Sequence, residues 1–94
     1  MERLTSKSKK SGDYLIKKEH VIEFEDGFSG DAAEKLAKFE NFYEELFESQ
    51  DIISKELEKL RLEGKEKSTK FRELFTKKLM NNSILILLKS FGLE

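Results

Sequence analysis

The sequence predicts a mainly α fold: a long helix packed antiparallel on two shorter C-terminal helices as a helical hairpin, with a small β-hairpin ahead of it. Three observations lead there. Apolar residues recur at alternating steps of three and four from Ala32 to Leu60, glycines stand at Gly30 and Gly64 on either side of that stretch, and a second apolar stretch follows. With 94 residues the chain has room for one domain, 13–94, preceded by an arm over residues 1–12.

The arm, rich in Ser, Lys and Gly, shows no periodicity and is expected to be flexible and basic. From Asp13 the character changes. Tyr14, Leu15 and Ile16, then Val21, Ile22 and Phe24, are the β-favouring clusters, and Lys17-Lys18-Glu19-His20 separates them. Residues 13–28 therefore suggest one short hairpin pairing these two clusters. A two-stranded hairpin is marginal alone, so it is expected to lie on a helix.

The long helix is expected over 31–63. Asp31 suits its N-cap, and Glu34 three residues on completes a capping-box pattern. Ala32, Leu36, Phe39, Tyr43, Leu46, Ile53, Leu57 and Leu60 mark a 3.5-residue period, with Gln50 at the one polar seam position. Such a rod spans roughly 47 Å at about 1.5 Å per residue. Phe42 and Phe47 flank the seam and widen it. Gly64 fits the left-handed residue that closes a helix.

Beyond Gly64 a helix is expected over 66–81, with Phe71, Leu74, Phe75 and Leu79 on one face. Asn81-Asn82-Ser83 suggests a break and a fresh cap, and 83–91 a short helix, buried on most sides, through Ile84 to Leu88. The internal seam is then Phe39, Tyr43, Leu46, Ile53, Leu57, Phe71, Leu74 and Leu79. Self-association through Phe39, Phe42, Tyr43, Phe47, Phe71, Phe75, Ile84 and Leu88 is as readily expected as a purely internal core, because so few elements cannot cover a wide seam on two sides. Five Glu/Asp-to-Lys pairs at i, i+4 are expected to support the helices: Glu34–Lys38, Asp51–Lys55, Glu63–Lys67, Glu66–Lys70 and Glu73–Lys77.

Chemistry is sparse. The chain has no cysteine, which excludes disulfides and thiolate metal sites. It has one histidine, His20, no Gly-rich phosphate loop and no HExxH, so no catalytic, cofactor or metal residues are assigned and no enzymatic activity is expected. The longest apolar run, Ile84 to Leu88, is far shorter than the roughly 20 residues that span a bilayer, and the polar N-terminus does not resemble a signal peptide; no membrane association and a cytoplasmic location are expected.

The formal charge is −1, unevenly distributed: +3 over residues 1–20, −7 over 21–62 and +3 over 63–94. Glu44, Asp51 and Glu58 repeat every seven residues, and Glu48 lies one turn after Glu44. They draw an acidic stripe along the long helix. The plain interpretation is a solvated face; the sharper one is a surface for a basic partner that normally holds nucleic acid. Arg3, Lys7, Lys9 and Lys10 in the arm, and Lys67, Lys70 and Lys77 in the second helix, are candidates for phosphate contacts. No recognition helix or interleaved aromatics accompany them, so direct nucleic-acid binding is the weakest alternative.

Three segments, MERLT, DGFSGDAAEKLAKFENFYEEL and LRLEGKEKSTKFRELFTKKLMNNSILILLKSFGL, resemble a group of short accessory proteins encoded by phages and prophages of Firmicutes. The resemblance spans most of the chain and carries no site residue. It implies a small protein made in a bacterial host cytosol and acting by protein–protein contact, with itself or with a host protein. Blocking host machinery, as anti-CRISPR proteins do, is the analogous mode of action.

Overall fold

Thirty-two consecutive residues, Asp31–Leu62, form a single helix, α1, as the apolar period requires. The computed structural model describes all residues, Met1 to Glu94. Four short strands precede α1: β1 (Thr5–Lys7), β2 (Tyr14–Ile16), β3 (Ile22–Phe24) and β4 (Gly27–Ser29), with a single 3-10 turn at Lys18–His20. A second helix, α2 (Thr69–Ser90), follows α1. Two compact units divide the chain, Met1–Phe42 and Tyr43–Glu94.

In the first unit the strands form two separate antiparallel hairpins. β1 pairs with β2, setting Thr5 against Ile16 and Lys7 against Tyr14. β3 pairs with β4, setting Ile22 against Ser29 and Phe24 against Gly27. Tyr14–Ile16 thus pairs backwards with residues expected in a free arm, not forwards with Ile22–Phe24. The reason is local. Ser8 N–H donates to Asp13 C=O at 2.7 Å, and Gly12 takes φ +76°, so the Ser/Lys/Gly stretch closes a loop. Arg3 reinforces the pairing, its guanidinium lying 5.9 Å from the centre of the Tyr14 ring.

Gly30 joins the second hairpin to α1 at φ +113°, and a Cβ there would lie 2.5 Å from the His20 carbonyl oxygen. Its own carbonyl accepts from Glu34 N–H at 3.0 Å, which makes Gly30 the N-cap and Asp31 the first helical residue. The Asp31 carboxylate is turned to His20 Nδ1, 3.4 Å away, instead of capping. With Glu34 it still places negative charge in the first turn, where the helix dipole favours it.

In the second unit, the Tyr43–Leu62 part of α1 and the whole of α2 form an antiparallel helical hairpin. Leu46, Ile53, Leu57 and Leu60 are its buried apolar residues, all from α1 at steps of seven, four and three. α1 ends in the expected way: Gly64 adopts φ +72°, Lys65 N–H reaches Leu60 C=O at 2.8 Å, and Gly64 N–H reaches Arg61 C=O at 3.0 Å. α2 opens on Ser68, whose hydroxyl accepts from Phe71 N–H at 3.2 Å.

α2 is one helix where two were expected. Asn81-Asn82-Ser83 does not break it, because those side chains are engaged elsewhere. Asn81 Nδ2 donates to Ser49 Oγ at 3.4 Å, Asn82 Oδ1 accepts from Gln50 Nε2 at 2.7 Å, and Ser83 Oγ donates back to Leu79 C=O at 3.0 Å. The polar seam position of α1 thus meets a polar pair on α2, and the backbone ladder continues through it.

The inward seam of α2 is Phe71, Leu74, Lys78, Asn81, Leu85 and Leu88, half-buried except for Asn81, which is buried. Ile84 is half-buried beside it. Seven residues assigned to the buried side from sequence are exposed instead: Phe42, Phe47, Phe75 and Leu79 at 45%, 51%, 40% and 51%, Leu36 at 58%, and Ile86 and Leu87, in the run expected to be buried on most sides, at 69% and 59%. Within the second unit, Phe47, Phe75 and Leu79 each lie about one helical step off the seam centre, where a single antiparallel neighbour leaves them uncovered.

Of the five helix-face ion pairs, Asp51–Lys55 forms, at 2.9 Å. Glu63–Lys67 and Glu66–Lys70 straddle the interval between Leu62 and Thr69 and share no helix. Their members re-pair: Glu63 with Lys65 at 3.0 Å, and Lys70 with Glu56 on the neighbouring helix at 3.7 Å.

Candidate functional site

The acidic stripe and the exposed apolar residues of the second unit are its two distinctive surface features. Seven-residue spacing brings Glu44, Asp51 and Glu58 to one side of α1, next to Phe47 and away from the seam residue Gln50. All three carboxylates are exposed, and Lys55 neutralises only Asp51. Glu48, expected in the same stripe, lines a groove on the other flank with Ser49, Ile52, Leu74 and Lys77, about 380 Å³ in volume. The four acidic residues therefore do not make one continuous site.

The apolar feature lies on α2. Phe75, Leu79 and Ile86 are 40%, 51% and 69% exposed. Steps of four, three and four link Phe75, Leu79, Asn82 and Ile86, which puts them on one line of the helix. Phe75 stacks on Phe71, their rings 6.2 Å apart and nearly parallel. The Arg61 guanidinium also lies over the Phe71 ring, 5.5 Å from its centre. From α1, Phe47 joins the same side one turn before Gln50, and its ring meets that of Tyr43 edge to face at 4.9 Å. The Gln50–Asn82 hydrogen bond joins the two helices beside this patch. The patch's signal in the sequence is the second 3.5-residue line on α2, which the expected break at Asn81 conceals.

His20 is held between two carboxylates, with Nδ1 3.4 Å from Asp31 and Nε2 3.5 Å from Glu19. No serine, threonine or cysteine nucleophile is hydrogen-bonded to it. No three histidine, cysteine, aspartate or glutamate side chains converge closely enough to hold a metal ion. No helix is long and apolar enough to cross a membrane. Of the lysines suggested for phosphate contacts, Lys70 is committed to Glu56. One carboxyl is perturbed: the hydrogen bond and charge of Lys65 hold Glu63 below the usual glutamate range.

No family model matches the chain, and neither a curated protein nor a solved structure matches it.

Proposed function

We propose that this chain is a non-enzymatic accessory protein of the phage and prophage kind, working by protein–protein contact in a bacterial host cytosol and self-associating. The observation that carries the reading is the row of large apolar side chains left in water on a helix that already has a packed partner. Contiguous exposed apolar surface of this sort marks interaction sites in folded proteins. The experiment is sedimentation velocity of the purified chain, with and without host lysate fractions. A larger assembly of defined mass supports the reading, and a protein that stays monomeric in every mixture refutes it.

A second reading draws on the stripe. Glu44 and Glu58 have no cation within ion-pair distance, so this side of α1 offers uncompensated negative charge to a basic groove. In that role the chain inhibits a host enzyme that handles nucleic acid. Reversal of Glu44, Asp51 and Glu58 to lysine then abolishes inhibition of a host nuclease while circular dichroism stays unchanged, and reversal of Glu48 alone does not. Inhibition that survives the triple reversal removes this reading.

A further inference from the structure

We propose that a second copy of this chain covers the face carrying Phe47, Phe75, Leu79 and Ile86, in a dimer whose two-fold axis runs along the helices. α1 of each copy then lies on α2 of the other. The inference rests on the protein-contact reading and gives it a partner, a surface and a geometry.

Periodicity supplies the first argument. α2 carries two lines of 3.5-residue spacing. One, from Phe71 to Leu88, faces α1; the other, Phe75, Leu79, Asn82 and Ile86, faces water. Helices with a second heptad line pack on a second neighbour, and a single asparagine in such a line fixes register. Asn82 occupies that position, and its Oδ1 is already tied to Gln50.

Area supplies the second. The chain exposes 8208 Å², and its mass is 11.0 kDa. A folded monomer of that mass exposes roughly 5600 Å², and each partner in a standard interface gives up about 800 Å². The surplus leaves ample room for a dimer interface. No large side chain in the chain is fully buried, so the protomer alone lacks the core that its apolar content could build.

Charge selects the axis. Arg61–Phe71 and Gln50–Asn82 set the levels of the hairpin, so Glu58 stands level with Leu74, Asp51 with Asn81 and Glu44 with Leu88. On α2 this face carries Arg72 at its edge, while Lys78 lies in the seam towards α1 and Lys89 is paired with Glu94 at 3.9 Å; on α1 its edge carries Glu44, Asp51 and Glu58, with Lys55 offsetting one of them. A two-fold axis along the helices keeps every level. It brings Glu58 of the second copy to Arg72. A two-fold axis across the helices would lay α1 on α1, acid against acid.

The test is sedimentation equilibrium of the full chain, with three variants. The wild type is expected at twice its chain mass. Leu79→Glu, on a side chain already half in water, is expected to sediment as a helical monomer. Glu58→Lys and Arg72→Glu are each expected to raise the dissociation constant roughly three- to thirtyfold at low salt, since each acts twice per dimer, and the double variant to restore it. These two residues lie outside the core, so they carry the test should Leu79→Glu fail to fold. A wild type that is monomeric at every concentration overturns the proposal and leaves contact with a foreign protein standing. A dimer indifferent to Leu79→Glu overturns the face but not self-association. A double variant no tighter than the singles overturns the axis.

Discussion

Gln50 binds Asn82 through a 2.7 Å hydrogen bond from Nε2 to Oδ1, and the same amide reaches the Lys78 carbonyl at 3.3 Å, while Gln50 Oε1 stays buried without a donor. One polar residue of α1 thus locates α2 along the seam at the expense of an unsatisfied acceptor. An apolar residue there would pack as well and tolerate a slip of the hairpin; the amide tolerates one register. Unpaired buried acceptors cost about 1–3 kcal/mol, more than a typical hydrogen bond returns.

Gln50→Leu is therefore expected to stabilise the second unit by about 1 kcal/mol, since it removes the buried acceptor that lacks a donor. Urea denaturation followed at the helical band measures the change. A loss of stability would mean that the hydrogen bonds outweigh the orphan oxygen.

Leu57 is 2% exposed and sits between Ile53 and Leu60 in the buried line of α1. Leu57→Ala is expected to cost about 2–4 kcal/mol through lost burial and the cavity left behind. Leu62→Ala, at a site 81% exposed, serves as its control and is expected within about 0.5 kcal/mol of wild type.

Gly30→Ala is expected to disturb the first unit, because the new methyl would fall 2.5 Å from the His20 carbonyl oxygen at a φ of +113°. Amide chemical shifts should move from Lys18 to Asp31 and stay fixed through α2. Unchanged shifts at His20 and Val21 would show that the backbone there yields easily.

Glu63 titrates low because Lys65 hydrogen-bonds and charge-stabilises its carboxylate. A depressed folded-state value favours the folded chain above the unfolded pKa of glutamate, and that contribution fades as pH falls through the folded value. Carbon-detected titration is expected to show Glu63 below the usual glutamate range and Lys65→Gln to return it towards that range. The pair lies at the surface, so high salt is expected to erase the difference.

Amide exchange is expected to be fast across both hairpins, where Tyr14, Leu15, Ile16, Ile22, Phe24 and Phe28 are all 45% exposed or more, and slowest between Ile53 and Leu60. Equal protection in the two regions would count against the burial described here.

α1 was legible almost to the residue, since one strong period and one terminal glycine fix its phase and its end; of the residues in that period Leu46, Ile53, Leu57 and Leu60 are buried, Ala32, Phe39 and Tyr43 half-buried, and Leu36 exposed. α2 was harder. Asn-Asn-Ser has the composition of a cap, and only the presence of Ser49 and Gln50 opposite it explains why the helix continues. The inward line from Phe71 to Leu88 crosses Asn81 without a change of phase, and that was the available signal. The phenylalanines misled for a different reason. Size and helical spacing mark Phe42, Phe47 and Phe75 as buried somewhere, but one chain cannot say whether the cover is its own or another's. The hairpins were obscured by Ser8 to Asp13, a run that reads as a tail and closes as a turn.

The six residues from Glu63 to Ser68 join the two helices through a Gly64 stop and a Ser68 start. Closing so short a link sacrifices little chain entropy, so the hairpin zips from that end, with Leu60 and Phe71 meeting first and Leu46 and Leu88 last. Truncations near the link should then slow refolding, whereas truncations at the far end should hasten unfolding.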